Sequence, residues 1–397
     1  MGAVRCDTAL LWPLKCIKEY ECFFSGWAQY EKVFSALAIS TERKFISGWR
    51  MRTGTTTTRA QALAHVLYVL ATMQLASFYL VSTHPYLRFW EYMRGAERNP
   101  FQQRVLPVAL LYPLVHSRLI TSVFEHLRGL FLPIQRGAYF VVCFFALCIT
   151  GFFVVKLYDA LSPTRRLWFA VYPAFLYVTL WSYVVIVQQP FFYPYDVLSL
   201  MFFTAGVYFI YTRQFWPLFF TVLIGTVNRE TTLFLIVIYM IDSCSRREVM
   251  SLALWRRLDL RMMPWARVAL LAAVWLAIKL TLHHIFAANN SAEDAIHVKD
   301  NLEKFLPKHW PAVLNICGYV LPVLLVCRKK IAPARFANYL LVMPFWFGIM
   351  FVKGILVETR IYGELSGYTA VAAVLLLERY VLKGEREEER KRVMSAV

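Results

Sequence analysis

The chain has 397 residues, 59% of them hydrophobic and 16% aromatic, with a formal net charge of +18. Its apolar residues fall in long blocks rather than in helical or strand alternation, which excludes an ordinary soluble domain and reads as a polytopic helical membrane protein. The basic residues sit in short loops between those blocks, where they orient helices and meet anionic lipid, so the charge implies membrane lipids and not a nucleic-acid partner.

Residues 1–61 are mixed polar, basic and aromatic, with no run long enough to span, and are expected to form a cytoplasmic or interfacial extension. Spanning segments are expected at 62–83, 137–158, 168–188, 197–212, 268–288, 311–327, 336–353 and 367–382. The transmembrane domain then covers 62–382, and 383–397 is a charged cytoplasmic tail. The eight cysteines show no CxxC or Cys/His spacing, so neither a disulfide framework nor a zinc site is indicated.

Segment 215–242 carries Asn228-Arg229-Glu230-Thr231 inside an apolar run. Charges at bilayer depth are costly unless they pair or face a cavity, which makes these residues functional candidates. They also decide the topology. Thr164-Arg165-Arg166, Thr212-Arg213, the loop from Arg246 to Arg261, Arg328-Lys329-Lys330 and the tail from Lys383 all belong on the cytoplasmic side. They share a side only if 215–242 crosses twice, turning at Thr226–Thr231. The alternative is one long tilted helix whose Arg229 and Glu230 pair locally. Two crossings give about ten passes with both termini cytoplasmic, and the break implies an outward-facing cavity, the setting in which irregular backbone is tolerated at depth.

The outer segments are then 84–136, 189–196, 289–310 and 354–366. The first outer loop, 84–136, opens with His84 and holds Glu91, Glu97 and seven arginines from Arg88 to Arg136. Arginines on the outer side beside aromatic residues suit a fixed phosphate, which guanidinium binds bidentately. Residues 105–134 should lie on the membrane as one or two amphipathic helices. A carboxylate flanked by apolar groups at the membrane surface suits a general base. Glu97 is favoured over Glu91 because it abuts the turn Asn99-Pro100-Phe101-Gln102-Gln103-Arg104, although either glutamate can instead pair with Arg88, Arg94 or Arg98. Asp196, after Tyr193-Pro194-Tyr195, is expected to cap a helix starting at Val197. Glu358 and Arg360 stand two apart, do not face each other on a helix, and need partners elsewhere, which Arg229 and Glu230 supply if the two breaks meet. The loop 289–310 reads as a solvated connector, and Asn289-Asn290-Ser291 fits the glycosylation pattern.

In the order of these features, residues 62–382 resemble the GT-C superfamily of polytopic membrane glycosyltransferases. The order is a first helix, a long outer loop with an acidic residue, a short helix after Tyr193-Pro194-Tyr195-Asp196, and short helices broken at Asn228-Arg229-Glu230. Pro100–Pro107, Asn228–Thr231 and Glu358–Leu365 are also similar to bacterial membrane proteins related to that superfamily. The superfamily's usual first-loop aspartate is a glutamate here. The resemblance implies an all-α bundle in a bacterial cytoplasmic membrane that moves a sugar, with inversion, from a polyprenyl-phosphate donor to a glycan, lipid or protein acceptor on the outer face. No cofactor is implied, and with no DxD-like pair in the outer loops no metal is expected. In that reading Glu97, or else Glu91, deprotonates the acceptor. Arg104, Arg229 and Arg360, with His84, hold the departing phosphate. Glu230, Glu358, Asn228 and Asp196 orient those groups or bind sugar hydroxyls. A polysaccharide polymerase or ligase, or a transporter or flippase of lipid-linked sugars, remains open on the same residues.

Overall fold

The computed structural model describes residues 56–126, 134–185, 191–244, 263–291 and 296–395. The chain divides into two units, Met1–Ala64 and His65–Val397, and of the first only 56–64, the opening turns of helix α1, are described. Residues 1–50, the basic loop 246–261, Glu293 and Asp294 lie outside the described residues.

The longer helices are α1 (Thr56–Ser82), α2 (Leu106–His116), α3 (Arg118–His126), α4 (Ile134–Leu161), α5 (Trp168–Tyr183), α6 (Asp196–Tyr211), α7 (Phe215–Asn228), α8 (Leu233–Cys244), α9 (Trp265–Ile285), α10 (Val320–Val326), α11 (Met343–Lys353) and α12 (Ser366–Ser395). Among the described residues, five stretches are long and apolar enough to cross a membrane, namely Arg59–Ser82, Ile134–Leu161, Trp265–Ile285, Ala334–Lys353 and Thr359–Tyr380. Shorter apolar helices are Leu106–His116, Asp196–Tyr211 and Phe215–Asn228. The all-α expectation holds among the described residues, which include a two-residue parallel pairing of β1 (His84–Pro85) with β2 (Phe191–Phe192).

Segment 215–242 is two helices. Arg229 leaves α7 in an extended conformation, Glu230–Thr232 form one 3-10 turn, and α8 begins at Leu233. The rings of Phe215, at the start of α7, and Tyr239, late in α8, lie 6.3 Å apart. A continuous helix would separate these positions by about 36 Å at 1.5 Å per residue. The chain therefore doubles back. The turn is held by Thr226 Oγ1 against Thr232 Oγ1 at 2.9 Å and by Trp275 Nε1 donating to the Glu230 carbonyl at 2.9 Å. Gly225 permits the approach, since a Cβ there would stand 2.7 Å from Thr232 Cγ2.

Helix α6 is the axis of the core. It packs on α4, α7, α8 and α12, and Leu200, Phe203 and Val207 along it are buried. Phe234 of α8 stacks on Trp346 of α11 at 4.1 Å, which fixes the doubled-back pair against the C-terminal helices.

Polar residues gather at the two ends of α6. At the Tyr211 end, Arg335 donates to both Asp242 oxygens (2.6 and 2.7 Å) and to the Ile210 carbonyl (3.3 Å). There too Lys330 meets Tyr380, Arg379 reaches the Lys330 carbonyl, and Ser162, Thr164 and the Arg166 amide converge on Glu378. The basic turns around 165, 330 and 379 thus meet at one end, as the charge pattern requires. At the Asp196 end lie the first loop, residues 191–196, the 229–232 turn and residues 354–365.

Three expectations are corrected. Segment 311–327 is not one helix. It breaks into Pro311–Leu314 and α10 because Cys317, Gly318 and Tyr319 all have positive φ (55°, 64° and 65°), and a Cβ on Gly318 would press 2.8 Å from Trp181. The 289–310 connector is not merely solvated. Asn301 is fully buried, donates to the carbonyls of Phe351 and Gly354, and accepts from the Leu356 amide, fastening this loop to the end of α11. The third concerns Asn289, which fits the glycosylation pattern but whose amide nitrogen is already spent on the carbonyls of Gly95 (2.9 Å) and Glu97 (2.8 Å).

Candidate functional site

Asp196 is the centre of the Asp196 end. It opens α6 with no accessible surface, and the N-cap position belongs to Tyr195, which makes no side-chain capping bond. The expected capping role is therefore replaced by ion pairing. Asp196 Oδ1 accepts from Arg229 Nη1 at 3.1 Å, and Oδ2 stands 3.3 Å from Arg360 Nε without hydrogen-bond geometry. Arg229 Nη1 also lies 3.0 Å from Glu364 Oε1, which accepts from Thr231 Oγ1 at 2.8 Å. A buried charge is tolerable only when paired and hydrogen-bonded, and this layout supplies each carboxylate with a guanidinium.

Arg360 donates to the Phe191 carbonyl at 3.1 Å and pairs with Glu358. That pair overturns the expectation that these residues face apart, because Glu358 (φ −77°, ψ 85°) precedes the 3-10 helix Thr359–Leu365 and is free of helical geometry. Gly363 allows this turn to reach α5, since any Cβ there would stand 2.7 Å from the Tyr183 ring.

Arg104 comes from the first loop. Its Nη2 and Nε face the two Glu230 oxygens at 2.9 and 3.4 Å, while Lys279 donates to neighbouring Gln103 at 2.9 Å. Aromatic rings hold the guanidiniums apart. Arg104 lies 4.2 Å and Arg229 5.5 Å from the Tyr195 centroid, and Arg360 lies 3.9 Å from that of Tyr193. Such cation–π contacts strengthen when desolvated. Asn228 donates to the Tyr195 carbonyl and to Ser199 Oγ, locking the end of α7 to the start of α6.

Glu230 is the accessible carboxylate of the group, its side chain 32% exposed against 1% for Asp196 and Glu364. Burial acts to raise its carboxyl, but Arg104, Lys279 and Arg229 outweigh that and hold it below the ordinary carboxylate range. Burial likewise opposes the charge on Arg104, yet Glu230 and Tyr195 keep its guanidinium more firmly protonated than usual.

Three arginines thus face four carboxylates, and several polar atoms are left over. Among the described residues, Asp196 Oδ2, Arg229 Nε, Arg360 Nε, Asn228 Oδ1 and Tyr183 Oη are buried without a hydrogen-bond partner. Orphaned buried polar atoms are rare, and a group of them around one residue marks a place for water or a ligand's oxygens.

The other sequence candidates sit apart from these contacts. Glu97 is buried, and both its oxygens accept backbone amides, Oε2 from Arg88 at 2.8 Å and Oε1 from Arg98 at 3.0 Å. It closes the 88–98 loop. Glu91 is half-exposed and pairs with Arg88 at 2.9 Å, and His84 is exposed in β1. Of the ten sequence candidates the structure joins Arg104, Asp196, Asn228, Arg229, Glu230, Glu358 and Arg360, together with Thr231 of the 228–231 break and Glu364 beside the 358–360 group, and it adds the rings of Tyr193 and Tyr195.

No family model, curated protein or solved structure matches the chain. The functional reading rests on the residues themselves.

Proposed function

We propose that the chain is a polytopic membrane glycosyltransferase of the GT-C type, taking its sugar from a polyprenyl-phosphate donor. The observation that carries this reading is the set of unpartnered buried donors and acceptors around Asp196, flanked by three arginines drawn from three separate segments. In the proposed topology α7 and α8 are two crossings among about ten, the Asp196 end faces outward, and the basic end lies in the cytoplasm with both termini.

Three of the roles proposed from sequence persist and one moves. Arg104, Arg229 and Arg360 bind the lipid phosphate, with Glu230 occupying the phosphate's place on Arg104 until the donor enters. Guanidinium serves here because its planar fork suits phosphate as well as carboxylate. The base moves from the first loop to Asp196, because Oδ2 is ion-paired with Arg360 but makes no hydrogen bond, while both Glu97 oxygens accept backbone amides. Asp196 accepts the proton of the acceptor hydroxyl. That oxygen forms the new bond to the anomeric carbon as the bond to the lipid phosphate breaks on the opposite face, and the phosphate leaves with its negative charge on the arginines.

The test is release of polyprenyl phosphate from a panel of short-chain polyprenyl-phosphate sugars, with a membrane glycan and lipid extract added as hydroxyl acceptor, by the full chain in nanodiscs, with native mass spectrometry reading donor binding. Asp196→Asn should retain donor binding and lose about 10²-fold or more in release. If Asp196→Asn is fully active while Glu97→Gln, normally expressed, is dead, the base returns to the first loop. Donor binding without release by the wild type would overturn the transferase in favour of a flippase.

A further inference from the structure

At the opposite end of the molecule from Asp196, a pocket of about 110 Å³ opens where α6, α8 and the starts of α7 and α9 meet. Arg213, Gln214, Phe215, Tyr239, Asp242 and Arg267 are among its lining. Its acidic residue is already used, since Asp242 is held by Arg335 through two hydrogen bonds and by Tyr339 at 2.5 Å. Arg213 and Arg267 are exposed, and Arg267 rides 5.1 Å from the Phe215 centroid, which fixes its guanidinium at the rim.

Other features act in the same direction. Helices α7 and α9 both start at this pocket, and neither has an acidic residue in its first turn or a capping side chain. Among the described residues, no acidic side chain in either first turn offsets their partial positive charge. The pocket has room for a phosphate group. Trp216 and Trp265, 62% and 52% exposed, flank the pocket, and tryptophan favours the level of lipid headgroups.

The geometry points to a binding site for the phosphate headgroup of an anionic phospholipid, with Arg213 and Arg267 as its ligands. The site depends on membrane insertion but not on sugar transfer, so it stands or falls separately from the Asp196 cluster. A basic pocket between helices holds such a headgroup by charge, at a strength set by the number of arginines near the phosphate.

The experiment is native mass spectrometry of the full chain released from nanodiscs of phosphatidylglycerol and phosphatidylcholine in equal amounts. The wild type should retain phosphatidylglycerol preferentially. Arg213→Asn with Arg267→Gln should lower that retention about thirtyfold, roughly fivefold for each single change, with phosphatidylcholine unaffected. Asparagine is chosen at 213 because that residue has φ of 60°, which asparagine tolerates, so the backbone is kept. Lys329→Gln, an exposed change at the same end, should have no effect. Equal retention by wild type and double variant, or an equal loss in Lys329→Gln, overturns the proposal. So does saturable binding of inorganic phosphate that the double variant abolishes while phosphatidylglycerol retention is unchanged, which would make the pocket a site for soluble phosphate.

Discussion

The two polar ends of α6 use the same chemistry to different effect. At the basic end, Asp242 has both oxygens satisfied by Arg335, with Tyr339 adding a further bond, and Glu378 accepts from Ser162, Thr164, Tyr158 and the Arg166 amide. At the other end, Asp196 has two arginines in reach and one oxygen still without a hydrogen bond. A complete network needs no ligand and serves as a clasp. An incomplete one of equal burial is costly to keep in the folded chain, and its persistence fits a site that is completed by something that binds.

The sharpest way to break this contrast is to remove a shared cation. Arg229→Met leaves Glu364 buried without its cation and Asp196 with Arg360 alone, and denaturant unfolding in detergent should show a loss of about 3–5 kcal/mol. A loss below 1 kcal/mol would mean that the cluster is already hydrated and is no tighter than a surface pair. Arg335→Met at the basic end should cost less, about 2 kcal/mol, because Tyr339 still serves Asp242 and the Arg335 side chain is 20% exposed. The rate of the proposed sugar transfer per folded molecule should be unchanged, and a selective loss of rate would show that the clasp is part of the site.

The smallest effect is expected at the rim. Glu230→Gln should destabilise by about 1 kcal/mol at neutral pH, in the range of partly exposed pairs. Because the folded-state carboxyl of Glu230 is held below the ordinary value near 4.5, its contribution is fully present above that value and is lost as pH falls toward the lowered one. The wild-type advantage over Glu230→Gln should therefore be flat from pH 8 to 5 and narrow only below about 4.5. Narrowing between pH 8 and 6 would contradict the Arg104 pairing.

Much of this arrangement could be read from sequence because it follows from solvation. Apolar blocks located most helices, and the cost of Arg229 and Glu230 located the break between α7 and α8. The basic turns implied the doubling back that the Phe215–Tyr239 contact shows. What was not legible depends on local backbone at single residues. Asp196 looked like a helix cap because a carboxylate after Tyr193-Pro194-Tyr195 has that pattern, and nothing in one strand of sequence says that two arginines, 33 and 164 positions on, will claim it. Glu97 looked like a base because it was acidic and abutted the turn Asn99–Arg104, yet its oxygens go to nearby amides. The break at 317–319 left only Gly318 as a signal, inside a run otherwise fit to span.

The fastening of the first loop has a consequence for how the protein is made. Asn99 donates to the carbonyls of Phe286 and Asn289, the latter 190 positions later in the chain, and Asn289 answers to Gly95 and Glu97. Residues 95–99 therefore have no lasting place until α9 has been synthesised, and Asp196 waits longer still, for Arg360. Arg104 likewise has no Glu230 to pair with until 126 further residues have been added. The cluster closes only when residue 360 has been added, so a chain stopped before it leaves Asp196 with Arg229 alone.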